Sequence, residues 1–227
     1  MAKAVQNLFS SIAPKYDFLN HFMSLSVDRK WRDKALANLK GLKPQRLLDL
    51  CAGTLDLSLG LRELFPDAEI HAVDFALPML EQGHRKLPGK HRIHLTCADG
   101  HHLPFPEKKF DGVVCAFGIR NLEEREQAAK EIRRVLKPGG SLIVLEFFRP
   151  EKFLPKLFYQ TYGNFIIPRV GGWISKNRKA YEYLQNSIQS FLSIGEYERL
   201  LKKSGFKEIK SRPLSGGIAH EVTAKKM

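Results

Sequence analysis

Asp49, Asp74 and Asp99 each stand where an apolar run gives way to small residues, and this pattern can bind a nucleoside. Leu47-Leu48-Asp49-Leu50-Cys51 reads as a buried strand. It runs into Ala52-Gly53-Thr54, a tight turn, and then into a helical pattern carrying Leu57, Leu61, Leu64 and Phe65. In open α/β sheets, ligands bind outside the carboxyl ends of the strands, where this turn lies. A second strand, Glu69-Ile70-His71-Ala72-Val73, ends in Asp74, whose carboxylate can accept from both hydroxyls of a ribose. Asp99 and Gly100 follow a third strand, where the carboxylate or the Gly100 amide can meet an adenine edge. The first turn lacks the G-x-G-x-x-G spacing that lets backbone approach a pyrophosphate, and it lacks a Walker lysine.

A nucleoside ligand without a diphosphate fits this set best, and S-adenosylmethionine is the common one. Gly53 and Thr54 would then lie at its methionine arm, with the Thr54 hydroxyl on the carboxylate. Asp49 would orient the loop or, through water, the ammonium. Each of these residues also has a plain turn or capping role open to it.

The elements that must position these residues alternate. Strands at 46–51, 69–73, 92–97, 111–115 and 141–147 are interleaved with helices at 56–65, 77–86 and 123–136. Strand-helix alternation at this spacing implies βαβ units and a parallel sheet with helices on both faces. Asp28 is a candidate N-cap for a helix through Trp31, Leu36 and Leu39. Lys137-Pro138-Gly139-Gly140 should end one helix and turn sharply into the next strand. Helices at 179–191 and 195–204 precede strands 206–212 and 217–224, joined at Ser215-Gly216-Gly217 as a hairpin. A mostly parallel seven-stranded sheet finished by an antiparallel hairpin is the layout of the Rossmann-like class I methyltransferase fold, an α/β class. The chain divides into a helical cap (1–40), a cofactor-binding core (41–150), an inserted lid (151–194) and a C-terminal helix and hairpin (195–227), all one domain.

At 227 residues, 43% hydrophobic and 27% charged, the composition is that of a soluble globular chain. It has no run of roughly 18 uncharged apolar residues and no signal-peptide pattern, so a cytoplasmic protein is expected. The net charge of +13 raises nucleic acid as a partner. Against it, the chain has no Asn-Pro-Pro-Tyr motif, no RNP aromatic set and no zinc finger, so no nucleic acid partner is expected. Basic excess concentrates at 152–179, where Lys152, Lys156, Arg169, Lys176, Arg178 and Lys179 interleave with Phe153, Phe158, Tyr162 and Trp173. That mixture suits a lipid headgroup interface, with a lid or a homodimer surface as the other readings. Cys51, Cys97 and Cys115 are too far apart for a disulfide framework or a metal knuckle and read as buried reduced thiols, and no metal site is expected.

Several stretches together resemble one family. They are Phe9-x-x-Ile12-Ala13-x-x-Tyr16-Asp17-x-x-Asn20, Met23-Ser24, Asp49-Leu50-x-x-Gly53-Thr54, Leu103-Pro104-Phe105-Pro106 and Phe117-Gly118-Ile119-Arg120-Asn121. Arg134-Val135-Leu136-Lys137-Pro138-Gly139-Gly140 and Leu145-Glu146-Phe147 complete the set. The chain is similar over nearly its full length to the UbiE/MenG family of quinone-biosynthesis C-methyltransferases. The resemblance implies methyl transfer from S-adenosylmethionine to a ring carbon of demethylmenaquinol, or of a ubiquinone precursor in some members. It also implies a metal-free enzyme and a prenylated substrate resident in the membrane, reached from its inner face.

Within this resemblance Arg120 is the natural partner for a substrate phenolate, Asn121 orients a hydroxyl or water, and Tyr16 closes the network from the cap. Arg120-Asn121 also reads as a turn before the helix at 123, with Asn121 as its N-cap, and Tyr16 as core packing. No His or Glu base is evident in these motifs, leaving a water held by Arg120 to take the proton; His101 and His102 read as solvated. The chain departs from the family in three places. Leu55 stands where the family has the second glycine of Gly-Thr-Gly-Asp, Ala116 replaces the serine before F-G-x-R-N at the cofactor, and Asp99-Gly100 replaces Asn-Ala. Leu55 would resist a positive φ and crowd the methionine arm, unless the loop is ordinary and Leu55 turns to the core. Methylation of another lipophilic small molecule, or a catalytically weak scaffold, are the alternatives these departures keep open.

Overall fold

The computed structural model describes residues 2–13, 16–17, 24, 26–89, 91–151 and 178–227. Its elements are α1 (Ala2–Ile12), α2 (Val27–Leu36), β1 (Arg46–Leu50), α3 (Asp56–Leu64), β2 (Glu69–Asp74), α4 (Leu77–His84) and β3 (Ile93–Cys97). There follow β4 (Phe110–Ala116), α5 (Arg125–Val135), β5 (Leu136–Glu146), α6 (Arg178–Ser190), α7 (Ile194–Lys203), β6 (Phe206–Leu214) and β7 (Ala219–Lys226).

The strands form one sheet in the order β3-β2-β1-β4-β5-β7-β6. β1 pairs in parallel with β2 and with β4, so Asp49 stands between Ala72 and Val114. β7 runs antiparallel to β5 and closes the hairpin with β6. Because successive strand residues face opposite sides, the apolar runs feed two cores. Leu48, Leu50, Val113, Leu142 and Val144 pack on one face with Ile132 of α5 and Leu201 of α7. Leu47, Val114, Ile143 and Leu145 pack on the other with Trp31 of α2, Leu61 of α3 and Leu80 of α4. The strand order reverses between β1 and β4, and β1, β2, β3 and β4 carry the residues singled out above.

Four expectations change. Lys137–Gly140 does not precede the fifth strand but lies within it: Leu136 already pairs with Phe110, and pairing resumes at Ser141 opposite Gly112. The Pro-Gly-Gly run is an outward bulge that leaves the ladder intact on both sides. Asp28 is not the N-cap of α2, since the helix starts at Val27 after Ser26 in the left-handed region. Asp28 sits in the first turn, where a negative charge suits the helix dipole, and accepts from Ser24 Oγ at 2.5 Å and from Arg32. Asn121 does not cap the following helix, because it ends a 3-10 turn (Ile119–Asn121) and α5 begins at Arg125. Of the three free thiols only Cys115 is buried; Cys97 is exposed and Cys51 half-buried. Residues 152–177 of the expected lid lie outside the described residues, as does Asn20, and the remainder of the lid holds α6.

Candidate active site

A cavity of about 520 Å³ opens at the carboxyl ends of β1, β2, β3 and β4, within the size range of small-molecule sites. Helix α1 forms one wall through Val5, Gln6 and Phe9, and Gln6 Nε2 donates to the Phe75 carbonyl at 2.6 Å. Of the residues expected to bind cofactor, Gly53, Asp74, Asp99, Gly100 and Ala116 line this cavity together, and Tyr16 and Asn121 join them.

Asp74 is its electrostatic centre. One carboxylate oxygen accepts the Gly53 amide at 2.8 Å and the other the Ala76 amide at 2.9 Å. Burial pushes its pKa up, opposed by those amides. Each oxygen has two lone pairs, so a pair of neighbouring hydroxyls can still be accepted. A Cβ at Gly53 would meet Met79 Cε at 3.4 Å and point toward Tyr16, so glycine keeps that stretch of wall open. A carboxylate aimed from the end of β2 and a bare backbone beside it fit a ribose and its 5′ substituent.

Asp99 is not alone. It accepts from the His101 amide at 2.9 Å and lies 2.5 Å from His101 Nδ1. Burial opposes its ionisation, but these two contacts outweigh it and hold Asp99 below the usual carboxylate range. His101 Nε2 in turn accepts from the Glu124 amide at 3.2 Å, so Nδ1 carries the proton and donates to Asp99. The expectation that His101 is solvated does not hold: its side chain is 15% exposed and bridges the loops after β3 and before α5.

Two expected cofactor residues do not line the cavity. Asp49 is buried and accepts from Ser58 Oγ of α3 at 2.6 Å, and burial raises its pKa to about 7. It joins β1 to α3 from beneath the loop. The Thr54 hydroxyl donates to Asp17 of the cap, whose other oxygen receives Lys86 Nζ at 2.7 Å. With its only proton committed there, Thr54 has none for a substrate carboxylate.

Leu55 turns to the core as one of its two expectations had it, but from a loop that is not ordinary. The loop keeps the left-handed conformation, with φ 70° at Leu55, and the side chain is nevertheless wholly buried in the core, away from the cavity. The space it fills belongs to Gly83 of α4, where a Cβ would lie 2.4 Å from Leu55 Cγ.

Arg120 also stands behind the cavity wall. Its guanidinium, 5% exposed, makes an ion pair of 2.5 Å with Glu146, which is completely buried at the end of β5. Nη1 also donates to the Phe117 carbonyl at 2.9 Å and Nε to Ser187 Oγ at 3.2 Å, which leaves Nη2 as the remaining donor group. Burial works against the charge on Arg120, but Glu146 holds it protonated. Burial pushes Glu146 up while Arg120 and the Phe147 and Arg120 amides pull it down. Asn121 does line the cavity, and its Oδ1 accepts from Tyr183 at 2.8 Å. Glu146, Tyr183 and Ser187 had no role in the sequence reading. Glu146 carried a signal, as an acid closing an apolar strand; the other two show only a four-residue helical spacing. Among the described residues no group of three His, Cys, Asp or Glu side chains could hold a metal ion.

A doubly wound sheet ending in an antiparallel hairpin, with an acid closing β2 in the cavity at the reversal of strand order, defines a class I S-adenosylmethionine-dependent methyltransferase. A SAM-dependent methyltransferase of Thermotoga maritima shares the fold with a TM-score of 0.71 over 97% of this chain and 99% of that one, at 19% identity. The model of the ubiE/COQ5 methyltransferase family matches residues 1–226, and the chain belongs to that family. It is 41% identical over 212 residues to the ubiquinone/menaquinone biosynthesis C-methyltransferase UbiE of Syntrophotalea carbinolica, covering 93% of this chain and 89% of the relative. It is likewise 41% identical over 213 residues to the demethylmenaquinone methyltransferase of Thermus thermophilus, covering 93% and 96%.

Proposed function

We propose that this chain methylates a ring carbon of demethylmenaquinol to give menaquinol, with S-adenosylmethionine as donor. The observation that carries the reading is the family match along the whole chain, with relatives named for this reaction at similar length. Asp74 would hold the ribose hydroxyls, Asp99 and Gly100 the adenine, and Gly53 with Ala116 the methionine side. The bound cofactor supplies an electrophilic methyl group on a sulfonium.

The acceptor needs help, because a neutral aromatic carbon is a weak nucleophile. Loss of the proton from the neighbouring hydroxyl puts electron density on that carbon, and the protein must hold the resulting anion in a dry, fixed geometry. Arg120 contributes its Nη2 donor group from a guanidinium locked by Glu146 and Ser187, and Asn121 and Tyr16 reach the cavity directly. A water beside Arg120 takes the proton, as Glu146 has both oxygens engaged. The test is expression in a strain lacking this methylation, followed by mass analysis of its quinones. Demethylmenaquinone gaining one methyl group is expected; a ubiquinone precursor methylated instead moves the acceptor to the other nucleus, and quinones that gain no methyl group overturn the reading.

Asp74 also gives a direct test of the cofactor assignment. Asp74→Ala is expected to weaken S-adenosylmethionine binding by about 1.5–3 kcal/mol in titration calorimetry. It should also cost stability, since the Gly53 and Ala76 amides lose their acceptor. Unchanged affinity would remove the cofactor from this loop.

A prenylated acceptor lies in lipid, and no described helix is long and apolar enough to cross a membrane. We propose peripheral contact at the cytoplasmic membrane face through the aromatic and basic stretch 152–179. Flotation with anionic liposomes should show binding at low salt that falls steeply by about 0.5 M, since headgroup attraction is screened and lid packing is not. Indifference to anionic liposomes, with a short-chain quinol still methylated, would leave the stretch a lid or a homodimer contact.

A further inference from the structure

A hydrogen-bond relay reaches Arg120 and Asn121 from Tyr183 and Ser187, two residues that the family resemblance left without roles. Helix α6 presents Tyr183 and Ser187, four residues apart and so on one face, to the turn that carries Arg120 and Asn121. Ser187 donates its own proton to the Leu184 carbonyl at 2.8 Å, so toward Arg120 Nε it acts only as an acceptor. Tyr183 donates its proton to Asn121 Oδ1. The Phe9 ring of α1 sits edge-on to both Tyr183 and Tyr16, at 6.1 Å from each, and ties the position of the Tyr183 phenol to the cavity wall. The backbone of Asn121 is fixed as well, its amide donating to Gly118 O at 3.0 Å.

These contacts have a consequence for polarity. An asparagine amide can turn either end to a ligand, its oxygen to accept or its nitrogen to donate. With Oδ1 engaged by Tyr183, the NH₂ end is the one left for the cavity. Ser187 and the Phe117 carbonyl do the same for Arg120, consuming donors on the protein side and leaving Nη2. We propose that Tyr183 is a positioning residue that makes Asn121 a pure hydrogen-bond donor toward the cavity, so that the acceptor pocket selects an ionised ring hydroxyl over a neutral one. The proposal rests on the aromatic-acceptor reading above and adds the protonation state in which that acceptor is held. A neutral hydroxyl needs an acceptor for its proton, and Asn121, the member of this relay that lines the cavity, has only its NH₂ end left to meet it. An aryl oxyanion needs donors, and each donor to a charged oxygen contributes about 1.5–3 kcal/mol.

The test uses ligand binding, with no methyl transfer. The whole chain, saturated with S-adenosylhomocysteine, is titrated at pH 7.5 with 4-nitro-1-naphthol, which is ionised there, and with neutral 1-naphthol. The wild type should bind the naphtholate at least about tenfold more tightly, the value of roughly one charge-assisted hydrogen bond. Tyr183→Phe should narrow that ratio about three- to tenfold, because the freed amide can turn its oxygen to a neutral hydroxyl: 1-naphthol binds more tightly while the naphtholate loses little. Asn121→Asp should bind the naphtholate more weakly than Asn121→Ala, because a carboxylate facing an oxyanion is worse than no group. A packing role for Tyr183 would move both naphthols together. That result, or Asn121→Asp binding the naphtholate as well as wild type, or a wild type indifferent to ionisation, overturns the proposal. A chain that prefers the naphtholate but leaves the host's quinones unmethylated keeps the amide orientation and loses the acceptor assignment instead.

Discussion

Arg120→Ala is expected to lower kcat by roughly 10²–10³ and to destabilise the fold by about 3–5 kcal/mol. The second effect comes from Glu146. With its partner gone, a completely buried carboxylate keeps only the Phe147 and Arg120 amides at 2.7 and 3.3 Å. Removing one member of a buried pair costs far more than the pair itself contributes, because the desolvation of the survivor is no longer offset. A loss of turnover in this variant alone would therefore be ambiguous. Arg120→Met combined with Glu146→Leu separates the two effects, since replacing both charges with apolar side chains removes the stranded carboxylate. The double variant should recover most of the unfolding free energy in urea and none of the turnover. Arg120→Lys should recover part of each, because one ammonium cannot serve Glu146, Ser187 and Phe117 in the planar arrangement of the guanidinium. Wild-type stability in Arg120→Ala would mean that Glu146 is neutral without its partner, and wild-type turnover would move the chemistry elsewhere.

The difference between what the residues announce and what the fold assembles is largely one of range. Leu47–Leu50, Ile70–Val73 and Val113–Cys115 are short, largely apolar runs alternating with helical patterns, which makes them central parallel strands, and the turns after the first two follow from their small residues. Asp74 is legible for the same reason, as an acid where such a strand must end at the ligand side. Pairings across the sequence carry no such local mark. Glu146 meets Arg120 because β5 lies beside β4, and Tyr183 meets Asn121 because α6 returns across the same edge after 62 residues. Thr54 illustrates the opposite error: its place in the turn suggests a ligand contact, but the cap brings Asp17 to it from 37 residues upstream. Lys137–Gly140 misleads in a further way. Pro-Gly-Gly is turn chemistry and does turn the chain, but the strand pairing of Leu136 before it is invisible without the partner strand.

Leu55→Gly is expected to lose about 2–4 kcal/mol of stability, although it restores the residue type that the left-handed backbone at φ 70° favours. Two effects oppose each other there. Glycine would relieve roughly 1–2 kcal/mol of left-handed penalty. Against this, the leucine side chain is fully buried among Leu57, Leu61, Ala72 and Leu80, and emptying a site of that kind costs about 3–5 kcal/mol or more, because the surroundings collapse only in part. The space was opened from the other side by Gly83, where a Cβ would stand 2.4 Å from Leu55 Cγ, 2.9 Å from Leu55 Cδ1 and 2.9 Å from the Thr54 carbonyl carbon. Gly83→Ala should accordingly destabilise by about 1–3 kcal/mol, in spite of the gain of about 1 kcal/mol that alanine brings to an unhindered helix interior. The overlap also pushes on Thr54, hence on the turn that presents Gly53 to Asp74, so Gly83→Ala should weaken S-adenosylmethionine binding in calorimetry. Leu55→Ala alone should be destabilising, but Leu55→Ala in the Gly83→Ala background should cost less than the two changes summed, with a coupling of about 0.5–3 kcal/mol in urea unfolding. Strict additivity would show that the two residues do not share one space, and the left-handed penalty would then be offset by burial against the rest of the core alone.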